Sequence, residues 1–209
     1  MTNNEELYDA ILNGRLETAV AVTRQMLAAG ADPHGLIDHS MIRAMEEIGA
    51  RFEAGKAFVP NLLMSARAMK GALELLRPML KGGNASSSGK VVIGTVKGDL
   101  HDIGKNLVAS MLEGCGFEVV NLGVDVSSER FIEAARTEQA DLICMSALLT
   151  TTMSYMKEVV AAVRTSGLDV KIMVGGAPVT EHFAQCIGAD GYSSNANAAV
   201  TLARRLVLG

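Results

Sequence analysis

Val91-Val92-Ile93-Gly94-Thr95-Val96-Lys97-Gly98-Asp99-Leu100-His101-Asp102-Ile103-Gly104-Lys105-Asn106 decides the fold. A β-branched run ends abruptly in Gly, Asp and His, and a helical pattern restarts at Gly104. That reads as a buried strand, a loop at its carboxyl end and a helix. Open α/β sheets place their ligands at strand carboxyl ends, so Gly98 to Gly104 is the first place to look for chemistry. An Asp two residues before a His suits holding an imidazole from behind while the ring faces a metal. A loop histidine satisfied by Asp99 is the other reading this stretch allows.

Working outward toward the carboxyl terminus, strand and helix alternate. Strands are expected near 90–96, 117–122, 141–145, 170–174 and 190–193. Helices are expected near 105–114, 128–138, 152–165, 180–187 and 196–207. Such alternation means a parallel sheet with helices on both faces. Five units suit a flavodoxin-like doubly wound order with its switch point beside the first strand. Small and hydroxylic residues cluster where strand carboxyl ends should fall: Ser146-Ala147-Leu148-Leu149-Thr150-Thr151-Thr152, Gly175-Gly176-Ala177-Pro178 and Gly191-Tyr192-Ser193-Ser194. An edge lined in this way makes a deep polar slot.

Toward the amino terminus the pattern is helical. A short segment from Glu5 to Leu12 stops at Asn13-Gly14, and a second runs from about Leu16 to Ala29. Asp32-Pro33 starts a third, with Asp as cap and Pro at the first helical position. Its stripe is Leu36, Ile37, Met41, Ala44, Ile48 and Phe52, closing at Gly55. Pro60 opens a fourth, in which Leu62, Ala66, Met69, Leu73, Leu76 and Leu80 form a bundle seam. Short connections suggest an antiparallel four-helix bundle over residues 1–81. Phe52 and Phe58 flank the last turn, in a chain with 5 Phe and no Trp. A Phe there plugs the bundle end or presents an apolar face to a ligand. The Gly/Ser stretch 82–89 reads as a flexible linker, leaving 90–209 as the α/β domain.

Composition excludes several classes. The 209 residues, 49% hydrophobic and 20% charged, are globular in character and long enough for a proper core. A net charge of −4 with no run of Lys/Arg argues against a nucleic-acid footprint. No basic start followed by an apolar core marks a signal peptide, and no apolar run approaches the roughly 20 residues that cross a bilayer. The 3 cysteines, Cys115, Cys144 and Cys186, are widely spaced and odd in number, which fits a reducing cytoplasm. They are expected to be small buried residues.

Three familiar site types fail on missing parts. A phosphate loop needs GxxxxGK[ST], whereas too many residues separate Gly98 from Gly104, and Asn106 stands where the hydroxyl should be. No dinucleotide GxGxxG is present. A metallophosphatase would need further His and Asp clusters beyond Asp99 and His101, and only His34, His39 and His182 remain, scattered along the chain.

Asp99-x-His101-x-x-Gly104, then Ser146-x-Leu148, then Gly175-Gly176, resembles the signature of cobalamin-binding domains with a displaced nucleotide tail. Phe52-Glu53-x-Gly55-Lys56-x-Phe58-x-Pro60 and Ala66-x-Ala68-Met69 extend the resemblance to the bundle, which looks like the cap domain of methyl-carrying corrinoid proteins. The nearest family is the cognate corrinoid proteins of methanol, methylamine and methoxy-aromatic methyltransferase systems, relatives of the cobalamin module of methionine synthase.

The resemblance implies a cobalamin or related corrinoid bound base-off and His-on, carrying the methyl group on its cobalt. His101 would be the axial ligand of the cobalt, Asp99 would accept from the other imidazole nitrogen, and Thr152 would complete the relay. Gly98, Leu100, Asp102, Ile103 and Gly104 would surround that ligand. The nucleotide tail would enter past Ser146, Leu148, Thr150, Gly175, Gly176 and Ala177, flanked by Tyr192. Phe58 with Leu62 or Leu63 would shield the upper face. Family members often carry an acidic residue or proline soon after this Tyr, whereas Ser193-Ser194-Asn195 follows here. The implied partners are a substrate-specific methyltransferase and a second one using tetrahydrofolate or a thiol, with room for a reductive activase. A cobalamin-sensing regulator and an adenosylcobalamin mutase subunit share parts of the pattern.

Overall fold

The computed structural model describes residues 3–79 and 88–209. Leu80 of the expected seam and residues 82–87 of the expected linker lie outside them. The chain divides into two compact units, Met1–Ser87 with Glu113–Gly116, and Ser88–Leu112 with Phe117–Gly209.

The first unit is helical: α1 (Asn3–Leu12), α2 (Leu16–Ala28), α3 (Pro33–Leu36), α4 (Arg43–Glu53) and α5 (Val59–Leu76). Gly14, at φ +65°, stops α1. Its N–H donates to Ile11 O at 2.9 Å and that of Arg15 to Ala10 O at 2.8 Å, the paired bonds of a Schellman ending. Asp32 caps α3 by accepting from Gly35 N at 2.7 Å, with Pro33 in the first helical position as expected. The expected third helix is not uniform, because a π-helical turn, Ile37–Ile42, joins α3 to α4. The helix α5 starts one residue before Pro60, and Asn61 Oδ1 accepts from Phe58 N at 2.9 Å, half of a capping box. The seam residues Leu62, Ala66, Met69, Leu73 and Leu76 are all buried. Ser65 Oγ donates to Leu12 O at 3.0 Å, tying α5 to the end of α1.

The second unit is a five-stranded parallel sheet in the order β2-β1-β3-β4-β5. Its strands are β1 (Lys90–Thr95), β2 (Glu118–Asn121), β3 (Leu142–Ser146), β4 (Lys171–Gly175) and β5 (Gly191–Ser193). This is the flavodoxin-like order, reversing beside β1. Its helices are α6 (Ile103–Gly114), α7 (Ser128–Glu138), α8 (Thr150–Met153), α9 (Tyr155–Thr165), α10 (Glu181–Ile187) and α11 (Ala196–Leu208). After its first residue β1 is buried throughout, as a central strand covered on both faces must be, whereas edge strand β2 has no buried residue. Val92, Phe131, Ile143, Met156, Val160 and Ile172 belong to the core between the sheet and its helices. Where one helix is expected over 152–165, two occur. The Ser154 hydroxyl donates back to Thr151 O at 3.0 Å, a local bond that competes with regular helix. Among the described residues no helix is long and apolar enough to cross a membrane. Cys115 and Cys144 are buried, but Cys186 is exposed on α10, its Sγ 3.5 Å from His182 Nε2, which corrects the expectation for that cysteine.

Candidate functional site

Parallel register puts Thr95, Ser146, Gly175 and Ser193 in one row across β1, β3, β4 and β5. The loops that follow these strands therefore emerge together at one edge. The loop after β1 carries Gly98 to Asp102, that after β3 carries Ala147 to Leu149, and that after β4 carries Gly176 to Thr180.

Asp99 is the centre of this edge. Its side chain is fully buried, while that of His101 is 52% exposed. One carboxylate oxygen, Oδ1, accepts from His101 N at 3.0 Å and lies 2.8 Å from His101 Nδ1. The other, Oδ2, accepts from Thr152 Oγ1 at 2.6 Å, from Leu148 N at 2.7 Å and from Leu149 N at 3.3 Å. Burial by itself would raise the Asp99 pKa, but the bonds from Thr152, Leu148 and His101 outweigh it and hold the carboxyl well below the usual carboxylate range. A carboxylate can only accept, so in the neutral ring Nδ1 carries the proton and Nε2 the lone pair. Thr95 Oγ1 donates to His101 O at 2.9 Å, fixing the main chain of the histidine as well.

Around the imidazole the surface is apolar and open. Leu100 is 72% exposed and Ile103 88%, and Leu148 and Leu149 are also exposed. A Cβ added at Gly104 would meet nothing within 4 Å, so the chain itself does not require that glycine. Thr150 and Ala177 are exposed, and Ser146 and Gly175 are half-buried. Gly176 differs: at φ +127°, an added Cβ would lie 1.9 Å from Ala147 O, so its smallness is demanded by the neighbouring loop. Tyr192 pairs with Val174, one row inside the edge, and is half-buried against the core. Asp102 faces α6, accepting from Asn106 Nδ2 at 2.8 Å.

Phe58 and Leu62 belong to the helical unit. Phe58 is 69% exposed, whereas Leu62 is fully buried, as its place in the seam predicts, so of the two leucines named with Phe58 for the upper face only Leu63 is exposed. The exposed apolar residues of the first turns of α5 are Val59, Leu63 and Met64.

Two groups escape a reading of the sequence alone. Lys105 looks like a solvated helix lysine, yet it is buried, its Nζ donating to Asn106 Oδ1 at 2.6 Å and Asn121 Oδ1 at 2.7 Å. Burial pushes its pKa down against the opposing pull of Asp102. Asn121 Oδ1 also accepts from Gly123 N at 3.0 Å, so the ammonium joins α6 to the end of β2. Lys105→Met is expected to cost about 1–3 kcal/mol by removing the charged donor that the two asparagine oxygens share, read as a lower denaturant midpoint of the corrinoid-free protein. The second is Asp125, at φ +55°, whose Oδ1 accepts from Gly98 N at 2.7 Å. No side-chain pattern announces a left-handed Asp.

Comparison with known proteins identifies the family. Residues 89–201 match the family model described as B12 binding domain, and residues 4–77 match a second model of the same description. The chain is 43% identical to the dimethylamine corrinoid protein of Methanosarcina barkeri over 207 residues, covering 97% of this chain and 96% of that one. It is similar in structure to a cobalamin-binding protein from Desulfitobacterium hafniense, with TM-score 0.84, 31% identity and 99% of each chain covered. It is also similar to a chain of the methanol:cobalamin methyltransferase complex of Methanosarcina barkeri, with TM-score 0.82, 32% identity, 99% of this chain and 80% of that one. With both stretches and nearly its full length accounted for, the chain belongs to the B12-binding corrinoid proteins of methyltransferase systems.

Proposed function

We propose that this protein is a methyl carrier. It binds a corrinoid base-off with His101 as the axial ligand, and serves a substrate-specific methyltransferase and a second methyltransferase whose acceptor is tetrahydrofolate or a thiol. The observation that carries this reading is the commitment of His101 Nδ1 to buried Asp99, which leaves Nε2 as the donor. Residues 1–81 then act as the cap and 90–209 as the binding domain, a division supported by the extents of the two family matches.

The residues present fit the group. A neutral imidazole nitrogen is a good donor to a transition metal, and its carboxylate backing fixes both tautomer and ring orientation. Leu100, Ile103, Leu148 and Leu149 offer an apolar surface that a flat macrocycle would cover, keeping water from the imidazole. Ser146 and Gly175, in one row, leave room for the nucleotide tail. When bound, the corrinoid supplies the methyl-transfer chemistry at its cobalt. The chain's own part is to hold His101 in place and to hold its proton. Asp99, 2.8 Å from Nδ1, would keep the ring proton on that nitrogen and leave Nε2 to hold the group. The likeness to a dimethylamine corrinoid protein supports a methylated amine as the methyl source, reached through the partner enzyme.

Loading with methylcobalamin tests the reading. The native protein is expected to give the visible spectrum of a corrinoid with an axial imidazole and no lower base of its own. His101→Ala should still bind but show the spectrum with water in the axial place. An unchanged spectrum in that variant would remove the assignment.

A further inference from the structure

We propose that Asp125, in the loop between β2 and α7, is a positioning residue that fixes the main chain carrying Asp99 and His101. The consequence for the cofactor rests on the reading of His101 as an axial ligand.

Beyond the end of β2 at Asn121, the backbone keeps pairing with β1. Leu122 N donates to Ile93 O at 2.8 Å, and Thr95 N to Gly123 O at 3.0 Å. Pairing resumes at Val126, whose N–H donates to Thr95 O at 3.0 Å and which bridges Val96 in parallel. Val124 and Asp125 bulge between these contacts, and Asp125 takes φ +55°. That region is costly for most side chains and persists in a fold only where the surroundings determine it.

The bulge meets the axial loop at two successive residues. Asp125 N donates to Asp99 O at 3.1 Å, while Asp125 Oδ1 accepts from Gly98 N at 2.7 Å. Gly98, at φ +82°, belongs to a turn closed by Asp99 N donating to Val96 O at 3.1 Å. The carboxylate of Asp99 is held from the other side by Leu148, Leu149 and Thr152. Asp99 is thus gripped twice, its side chain by the loop after β3 and its main chain by Asp125. The second grip, together with the Thr95 bond to His101 O, holds the main chain against a pivot about Gly98, which would move His101 relative to a bound ring.

Asp125→Gly keeps the left-handed backbone without strain and removes the carboxylate, whereas Asp125→Asn keeps both an acceptor oxygen and tolerance for that φ. Amide hydrogen exchange of the corrinoid-free variants reads the loop directly. In Asp125→Gly the Gly98 amide is expected to exchange about tenfold faster, with β3 core amides unchanged. After loading with methylcobalamin, the fraction showing the axial-imidazole spectrum should fall by about half, and Asp125→Asn should restore both readings. The proposal fails if Asp125→Gly alters neither reading or only one, or if the β3 amides exchange faster too, since Asp125 would then merely hold the fold together. If His101→Ala leaves the spectrum unchanged, the axial reading falls by itself, and Gly98 exchange still decides whether Asp125 holds the loop.

Discussion

Asp99→Ala is expected to lower stability by about 3–5 kcal/mol and to release His101 from its orientation. The wild-type carboxylate accepts from the N–H groups of His101, Leu148 and Leu149, from the Thr152 hydroxyl and from the imidazole. A buried donor left unpaired costs about 1–3 kcal/mol. Water can reach some of these donors, since Leu148, Leu149 and His101 are partly exposed, so the losses do not simply add. At about 2–4 °C per kcal/mol for a chain of this size, the melting midpoint should fall by roughly 10 °C. The effect has a definite pH signature. The folded-state pKa of Asp99 lies below its unfolded value, so its contribution is complete above roughly pH 4 and is lost as pH falls through the folded value. Denaturant titrations of wild type and Asp99→Ala should therefore show a constant gap near neutrality that narrows in acid. A gap that widens below pH 4 would mean that the carboxylate is not what these donors stabilise.

Gly176→Ala should be the most damaging single methyl in the sheet edge. The added Cβ would fall 1.9 Å from Ala147 O and 2.9 Å from Ala147 C, both backbone atoms that cannot swing aside. The φ of +127° adds a conformational penalty of about 1–3 kcal/mol, and forced overpacking adds about as much again. A loss of about 4 kcal/mol is expected, with the β3 and β4 loops pushed apart. Gly175→Ala is the control. There the Cβ would meet Ser193 O at 3.1 Å, a contact that a small shift relieves, so folding should change little while corrinoid affinity falls. If the two variants were equally stable, the close approach of the two loops would be wrong.

The sheet order and its helices are legible because each signal is local and repeated. The run Val91 to Val96 is β-branched and ends in glycine, and apolar segments recur with helical spacing between such runs. The seam of α5 is legible for the same reason, since one face of a long helix must be apolar. The π-turn at Ile37–Ile42 is not, because it changes the number of residues per turn without changing their type. The break at Ser154 depends on which hydroxyl turns back to its own backbone. At the site, the closeness of Asp99 to His101 follows from their spacing, and its bond to Thr152 was reachable only through a family resemblance. Burial of Lys105 and the left-handed Asp125 depend on neighbours brought from β2 and the following loop, which no window of sequence around either residue contains. The helical spacing that places Leu62 in the seam of α5 agrees with its burial, whereas its upper-face role, with Leu63 as the alternative, came only through the family resemblance.

Thr152 has one hydroxyl proton and two acceptors within reach, Asp99 Oδ2 at 2.6 Å and Leu149 O at 3.0 Å. It can serve only one of them at a time, and the charged oxygen is the stronger claimant. The hydroxyl therefore has two places for its proton, and the choice between them would follow the charge on Asp99. Were that charge neutralised, the proton could rotate to a carbonyl already in place rather than be stranded, so the change would be cheap and reversible. A serine at this position could make the same throw, a valine could make neither contact, and the small difference in shape between Thr and Val isolates the proton as the moving part.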